Sequence, residues 1–173
     1  YAEGNLYKAT ASREEVGGVY EKKTNDNDDY SDLTSFLSVL HSTPAGGLVA
    51  FFQGNVDEDV MIDYQASQVL INNSDYPHKN HYLYHDTSKD RWMPTGWDLD
   101  LSYGKIWDGT YGGVLNDKMH NPGITPWYTT NVRGGGTGNY LLDKFFSQAG
   151  TWYRRAYLVR LWDALQEKYT TAA

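Results

Sequence analysis

The sequence contains no cysteine, so structural disulfides, a thiolate nucleophile and cysteine-ligated zinc are excluded. It contains no apolar run approaching the roughly 20 residues that a membrane helix needs, and no basic n-region followed by an apolar h-region opens it. A basic run is also missing. Fifteen Lys and Arg stand against 22 Asp and Glu, a formal charge of -7, which argues against a nucleic-acid partner held through its phosphates. An anionic substrate would need a metal ion or a few local cations to hold it.

What is present suffices for one domain: 173 residues, of which 40% are hydrophobic and 15% aromatic, can build a core. Richness in Tyr, Asn, Thr and Gly with few Lys is a composition common in bacterial secreted and surface proteins, and it points to an extracellular address. The opening residues YAEGNLYKA read like the interior of a domain, so a further segment upstream is expected.

Short alternating stretches, NLYKA and GGVYEKK, suit two strands at the edge of a sheet, joined through Gly17 and Gly18. Ser31 or Asp32 is placed to cap a helix whose apolar residues Leu33, Phe36, Leu37 and Leu40 follow the 3.6-residue period. Pro44 and the pair Gly46 and Gly47 end it. Asp57, Glu58 and Asp59 mark a second helix start, with Val60, Tyr64, Ser67 and Ile71 along one face. Beyond it, HYLYHD and WMPTGWDLD read as the two strands of a hairpin around the polar turn TSKDR. The stretch from Leu101 to Gly138 is irregular and rich in Gly, Asn and Thr, and a loop that long is more often functional than idle. Two helices close the chain, from about Tyr140 to Gln148 and from about Trp152 to Tyr169. Leu158, Leu161, Trp162 and Leu165 form the expected core stripe of the last one.

The chemistry concentrates in NNSDYPHKNHYLYHDTSKDRWMPTGWDLD, Asn72 to Asp100. Asp75 and Asn80 have the D-x-x-x-x-N spacing by which a phosphotransfer loop offers a carboxylate to a hydroxyl and an amide oxygen to magnesium. Asp98 and Asp100, two apart on an expected strand, would face one ion. Oxygen donors of this kind suit a hard cation such as Mg2+, bridging to the phosphates of ATP. Asp75 would then orient or deprotonate the attacking hydroxyl, and Lys79 would neutralise the transferring phosphoryl group. The alternative is that Asn72 to Asp75 cap a helix, the hairpin is structural and the acids are solvated. The residue pattern leaves both open.

Other chemistries fit less well. His81 and His85 on one strand would stand about 13 Å apart at roughly 3.3 Å per residue, too far for one zinc ion, and His78 does not complete a set. Asp26 and Asp28 echo a calcium loop that lacks its glycine and its bidentate glutamate. RGGGTGN, Arg133 to Asn139, has no Lys-Ser/Thr after its glycines and fails as a P-loop. Trp107, Tyr111, Trp127 and Tyr128 are aromatics that can stack on sugar rings, which keeps a carbohydrate-binding module open.

INNSDYPHKNHYLYHD followed by WMPTGWDLDLSYG resembles the core signature of the CotH family, atypical protein kinases first met as spore-coat proteins. GNLYKA and YEKKTN near the start and YRRAYLVRLW near the end occupy the expected order, so the resemblance covers nearly all of the chain. It implies an α+β, atypical protein-kinase-like fold as a single domain segment over residues 1–173. Residues 1–30 would supply hinge-side strands and residues 31–173 a helical C-terminal lobe with a catalytic β-hairpin. Asp75 matches the acidic residue of the catalytic loop, Asn80 the metal-binding amide, Asp98 the magnesium-binding aspartate and Asp100 a second acid, while Leu6 and Tyr7 would lie on the hinge side of the nucleotide. The implied cofactors are ATP and Mg2+. The implied partner is a coat or extracellular protein phosphorylated on Ser or Thr, outside the bacterial cell or at its surface. No G-x-G-x-x-G precedes Asp75, so the N-terminal lobe is expected to be absent or truncated in this segment. A kinase-like domain that has lost catalysis and serves as a surface or assembly protein stands beside the active reading, as does the carbohydrate-binding module.

Overall fold

A computed structural model of the chain describes residues 3–10, 20–25, 29–71, 73, 80–103, 106–107, 114–115 and 140–168. Four antiparallel strands, β1 (Asn5–Ala9), β2 (Tyr20–Lys22), β3 (His81–Asp86) and β4 (Arg91–Gly96), form one sheet in the order β2-β1-β3-β4. Helices α1 (Ser31–Ser42), α2 (Leu48–Asn55), α3 (Glu58–Leu70), α4 (Tyr140–Asp143) and α5 (Thr151–Lys168) complete an α+β architecture. A two-stranded ladder, β5 (Ile106–Trp107) with β6 (Val114–Leu115), lies within the stretch expected to be irregular.

The expected hairpin is present, β3 pairing with β4 from His81↔Gly96 to Asp86↔Arg91 around a turn over Thr87–Asp90. Pro94 is tolerated because β4 is an edge strand. Alternation turns His81, Leu83 and His85 of β3 into the core and leaves Tyr82 and Tyr84 half-buried on the other face. At the edge, β4 is sewn to the helices: Val56 bridges Trp92, and the Asp57 N–H donates to the Trp92 carbonyl at 3.0 Å. Asp57 then caps α3 by accepting from the Val60 N–H at 3.1 Å.

Several helical expectations are corrected. α1 has Tyr30 at its N-cap with no side-chain cap bond; instead Asp29 accepts from the Ser31 N–H at 2.9 Å, and Asp32 turns inward. Its stripe of Leu33, Phe36, Leu37 and Leu40 is buried as expected. α2 was not expected. Its run LVAFF has no clear period, and a short 3-10 turn over Ala45–Gly47 leads into it where the glycines read as an end. α3 buries Met61, Ile62, Tyr64, Gln65, Ala66 and Gln68, while Ser67 is exposed. The segment from Tyr140 divides into α4 and a π turn over Lys144–Gln148. α5 buries Tyr153 and Tyr157; Leu158 and Leu161 pack at the margin, and Trp162 and Leu165 are exposed. The two tyrosines, four residues apart, take the inner face because Tyr153 finds Glu58 for its hydroxyl while its ring stacks on Phe145 at 4.1 Å.

Trp92 joins the sheet to the helices through its ring. His85 stacks on it at 4.3 Å and 3°, Phe36 of α1 at 4.6 Å, and Tyr7 of β1 at 5.9 Å. Asp32 lies beside this stack and accepts from the Tyr7 hydroxyl, the Asn5 amide at 2.8 Å and the Leu33 N–H at 2.8 Å. Its Oδ2 is also 2.8 Å from His85 Nδ1, while His85 Nε2 is 3.0 Å from Asp90 Oδ1 in the hairpin turn. A neutral imidazole has one N–H, so donating to both carboxylates requires the imidazolium. Burial disfavours charge on His85, but its bonds to Asp32 and Asp90 outweigh this and hold its pKa above the ordinary value. Burial likewise opposes the charge on Asp32, and its hydrogen bonds from His85, Tyr7 and Asn5 outweigh it, holding its carboxyl well below the usual range.

These shifts set a pH window for stability. The His85 contribution is full below its unfolded pKa of about 6.5 and is lost as pH rises through the higher folded value. The Asp32 contribution is present above about 3.9 and is lost as pH falls through the lower folded value. The unfolding midpoint should therefore decline as pH rises above about 6.5, and His85→Gln should flatten that decline while costing about 3 kcal/mol near pH 6. Thermal unfolding across pH 5–9 checks this; an unchanged slope in the variant would show that the pair is not protonated as described.

Candidate active site at the hairpin mouth

The hairpin ladder closes at His81↔Gly96, and the chain continues for one more bond: the Trp97 N–H donates to the Asn80 carbonyl at 3.1 Å. Beyond it, Asn80 Nδ2 donates to the backbone carbonyl of Asp98 at 3.3 Å. Both residues have left-handed backbones, with φ of 61° at Asn80 and 53° at Asp98. Asn and Asp tolerate this region better than other non-glycine residues, and such conformations persist where the surroundings impose them. Asn80 is buried, whereas Asp98 is exposed, so the pair puts a firmly seated amide next to a carboxylate open to solvent.

α3 braces this mouth. A Cβ on Gly96 would stand 3.1 Å from Gln68 Nε2 and 3.3 Å from a Leu99 methyl, so any side chain there would press on Gln68 and Leu99, which would have to give by a few tenths of an ångström. Gln68 Oε1 in turn accepts from Asn73 Nδ2 at 2.7 Å, inside the protein. The Tyr103 N–H donates to the Ile71 carbonyl at 2.7 Å, returning the segment after Asp98 to the end of α3. Leu101 and Ser102 are buried between these ties.

The structure thus brings Asn80 and Asp98 together. Asp100 is exposed in a turn; because β4 ends at Gly96, strand alternation does not align it with Asp98, which corrects the spacing expectation. Asp75 and Lys79 lie outside the described residues. Leu6 is half-buried on the outer face of β1, its N–H donating to Thr24 Oγ1 at 2.9 Å. Tyr7 is fully buried, and its side chain is committed to Asp32 and Trp92. Asp26, Asp28, His78, Tyr111, Trp127, Tyr128 and residues 133–139 also lie outside the described residues, as does the side chain of Trp107. Among the described residues, no three His, Asp or Glu side chains gather as a metal-binding group. His85 is instead taken up by Asp32 and Asp90.

Two contacts escaped the sequence reading. The Asp32 network joins residues up to 53 apart in sequence, so no local pattern announces it. Lys8 places its ammonium 3.7 Å from the centroid of the Trp97 ring. The signal for it was partial: alternation separates Lys8 from the buried Tyr7 and Ala9, and only the sheet order shows what stands beside it.

The braced hairpin of this α+β domain thus presents a buried amide and an exposed carboxylate at its mouth. The model of the family described as CotH kinase protein matches residues 2–171, and the chain belongs to that family. No curated protein matches the chain. No helix among the described residues is long and apolar enough to cross a membrane.

The two residues of the pair should respond differently to substitution. Glycine adopts positive φ freely, so Asp98→Gly should leave stability within about 1 kcal/mol of the parent. Asn80→Val forces a β-branched residue into the left-handed region and removes a hydrogen bond, which should cost about 2–4 kcal/mol. Denaturant unfolding measures both, and equal losses would contradict the assigned strain.

Proposed function

We propose that this chain carries the catalytic and metal-holding face of an ATP- and Mg2+-dependent phosphotransferase that modifies Ser or Thr hydroxyls of secreted, surface or coat proteins. The observation that carries the reading is the hydrogen bond from Asn80 to the Asp98 carbonyl between two left-handed residues. It joins the two positions that match the family's metal-binding amide and aspartate. The donor chemistry fits: the Asn80 amide oxygen and the Asp98 carboxylate are hard oxygen donors of the kind Mg2+ takes, with Asp100 as a further acid nearby. Bound there, the ion would neutralise charge on the β- and γ-phosphates.

In this reading Asp75 accepts the proton of the acceptor hydroxyl as its oxygen bonds to the γ-phosphorus. The bond to the β,γ-bridging oxygen breaks and ADP leaves. Lys79 offsets charge on the transferring group. Leu6 contributes to the hinge-side seat of the nucleotide from the outer face of β1, and Tyr7 supports that strand from the core. The family and the composition together support a bacterial coat or extracellular address. A second reading, a surface-assembly protein without catalysis, draws on α5, where Trp152, Val159 and Trp162 are all exposed.

Transfer of the ATP γ-phosphate to a Ser/Thr acceptor protein, measured on the longest natural chain containing this segment, tests the reading. It should require Mg2+ and should fall about a hundredfold or more in Asp75→Ala and in Asp98→Ala. Transfer that survives both changes, or an intact chain that neither transfers phosphate nor binds nucleotide, would overturn it in favour of the assembly reading.

A further inference from the structure

The other described lysines have their charge answered by oxygen. Lys22 donates to the Asp29 carbonyl at 2.6 Å, Lys23 pairs with Glu21, and Lys89 with Asp86 at 3.6 Å. Lys144 donates to the His41 and Thr43 carbonyls at 3.1 and 2.9 Å, and Lys168 lies 4.0 Å from Glu167. Lys8 has no such oxygen among the described residues; its ammonium rests on the Trp97 ring at 3.7 Å. Its cross-strand neighbour Glu21 is bonded by Lys23 and feels Lys8 only as a weaker charge that helps to hold its carboxyl low. In a chain of net charge -7, a cation resting on an aromatic face and hydrogen-bonded to no described carboxylate is unexpected.

Its position gives that cation a use. Trp97 immediately precedes Asp98 and hydrogen-bonds Asn80 through its backbone, so the ring under Lys8 belongs to the same turn as the amide and carboxylate pair. Lys8 pairs with Tyr82 across β1 and β3, and the Tyr82 ring lies 6.0 Å from that of Trp97. The indole Nε1 of Trp97 is buried and has no acceptor among the described residues. An ammonium held by cation–π attraction is easily drawn to phosphate, a stronger partner.

Resting on the phosphotransfer reading of this same site, the geometry points to Lys8 as a phosphate-holding residue: its ammonium leaves the Trp97 ring for a non-bridging phosphate oxygen of the nucleotide bound beside Asp98. The lysine places positive charge at a turn that otherwise carries Asp98 and Asp100, so a polyphosphate is not simply repelled. A lysine that only covered the ring with its stem would affect stability and leave phosphate affinity alone.

The test uses the longest natural chain with Lys8→Met and Lys8→Arg, titrated by calorimetry with magnesium tripolyphosphate and with MgADP, and assayed for γ-phosphate transfer. Lys8→Met should weaken both ligands by about tenfold to a hundredfold and raise the KM for ATP more than it lowers kcat. Lys8→Arg should restore most of the affinity, and its unfolding midpoint controls for the fold. Binding of Lys8→Met within about twofold of the parent, or no tripolyphosphate binding by the parent, overturns the proposal. The two readings fail separately. Transfer lost in Asp98→Ala with Lys8→Met binding unchanged leaves the phosphotransfer reading standing and removes Lys8 from it. Lys8-dependent tripolyphosphate binding by a chain that transfers no phosphate keeps the anion seat and removes the phosphotransfer.

Discussion

The carboxylate of Asp32 is the contact on which the arrangement of sheet and helices depends. It accepts from β1 through Asn5 and Tyr7, from its own helix at the Leu33 N–H, and from β3 through His85. A half-buried carboxylate is costly unless its lone pairs are filled, and here four donors from three elements fill them. Their common geometry sets the distance of α1 from the sheet. The stack of His85, Phe36 and Tyr7 on Trp92 then fills the space around the polar cluster. Polar specification and aromatic packing meet in one place, so the hairpin enters the core with its register determined.

At the other end of the hairpin the same rigidity serves a different purpose. Asn80 and Asp98 hold unfavourable backbone conformations, and the ties from Gln68, Ile71 and the last ladder bonds over-determine them. In the proposed reading, the left-handed turn at this strand end would aim two oxygen donors at one ion. The amide is buried and the carboxylate is exposed, which in that reading would leave the carboxylate open to a hydrated ion. That division of labour suits the phosphotransfer role proposed for this member of the CotH kinase family.

Where structure follows from local pattern, the sequence was a good guide. The period of Leu33, Phe36, Leu37 and Leu40 marked the inner face of α1, and the alternation around TSKDR marked the hairpin. It misled where a tertiary contact outweighed the pattern. The Leu and Trp side chains of α5 outnumber its tyrosines as hydrophobes, yet Tyr153 turns inward because Glu58 satisfies its hydroxyl. The spacing of Asp98 and Asp100 predicts a shared strand face, but β4 ends at Gly96, packed closely on α3, before either. Asp32 read as a cap because its partners at Tyr7 and His85 are remote in sequence. For the site, the residue types and their spacing were legible, while the hydrogen bond that unites Asn80 with Asp98 was not.

The central claim is that the Asn80 and Asp98 junction holds the metal end of a nucleotide. Paramagnetic relaxation by Mn2+ with ADP, followed by NMR on the assigned natural chain, addresses it directly because the ion broadens only nearby resonances. The account predicts that the amides of Asn80, Trp97 and Asp98 broaden first and that Asp98→Gly abolishes the effect. Broadening centred elsewhere on the chain, or unchanged in that variant, would contradict it.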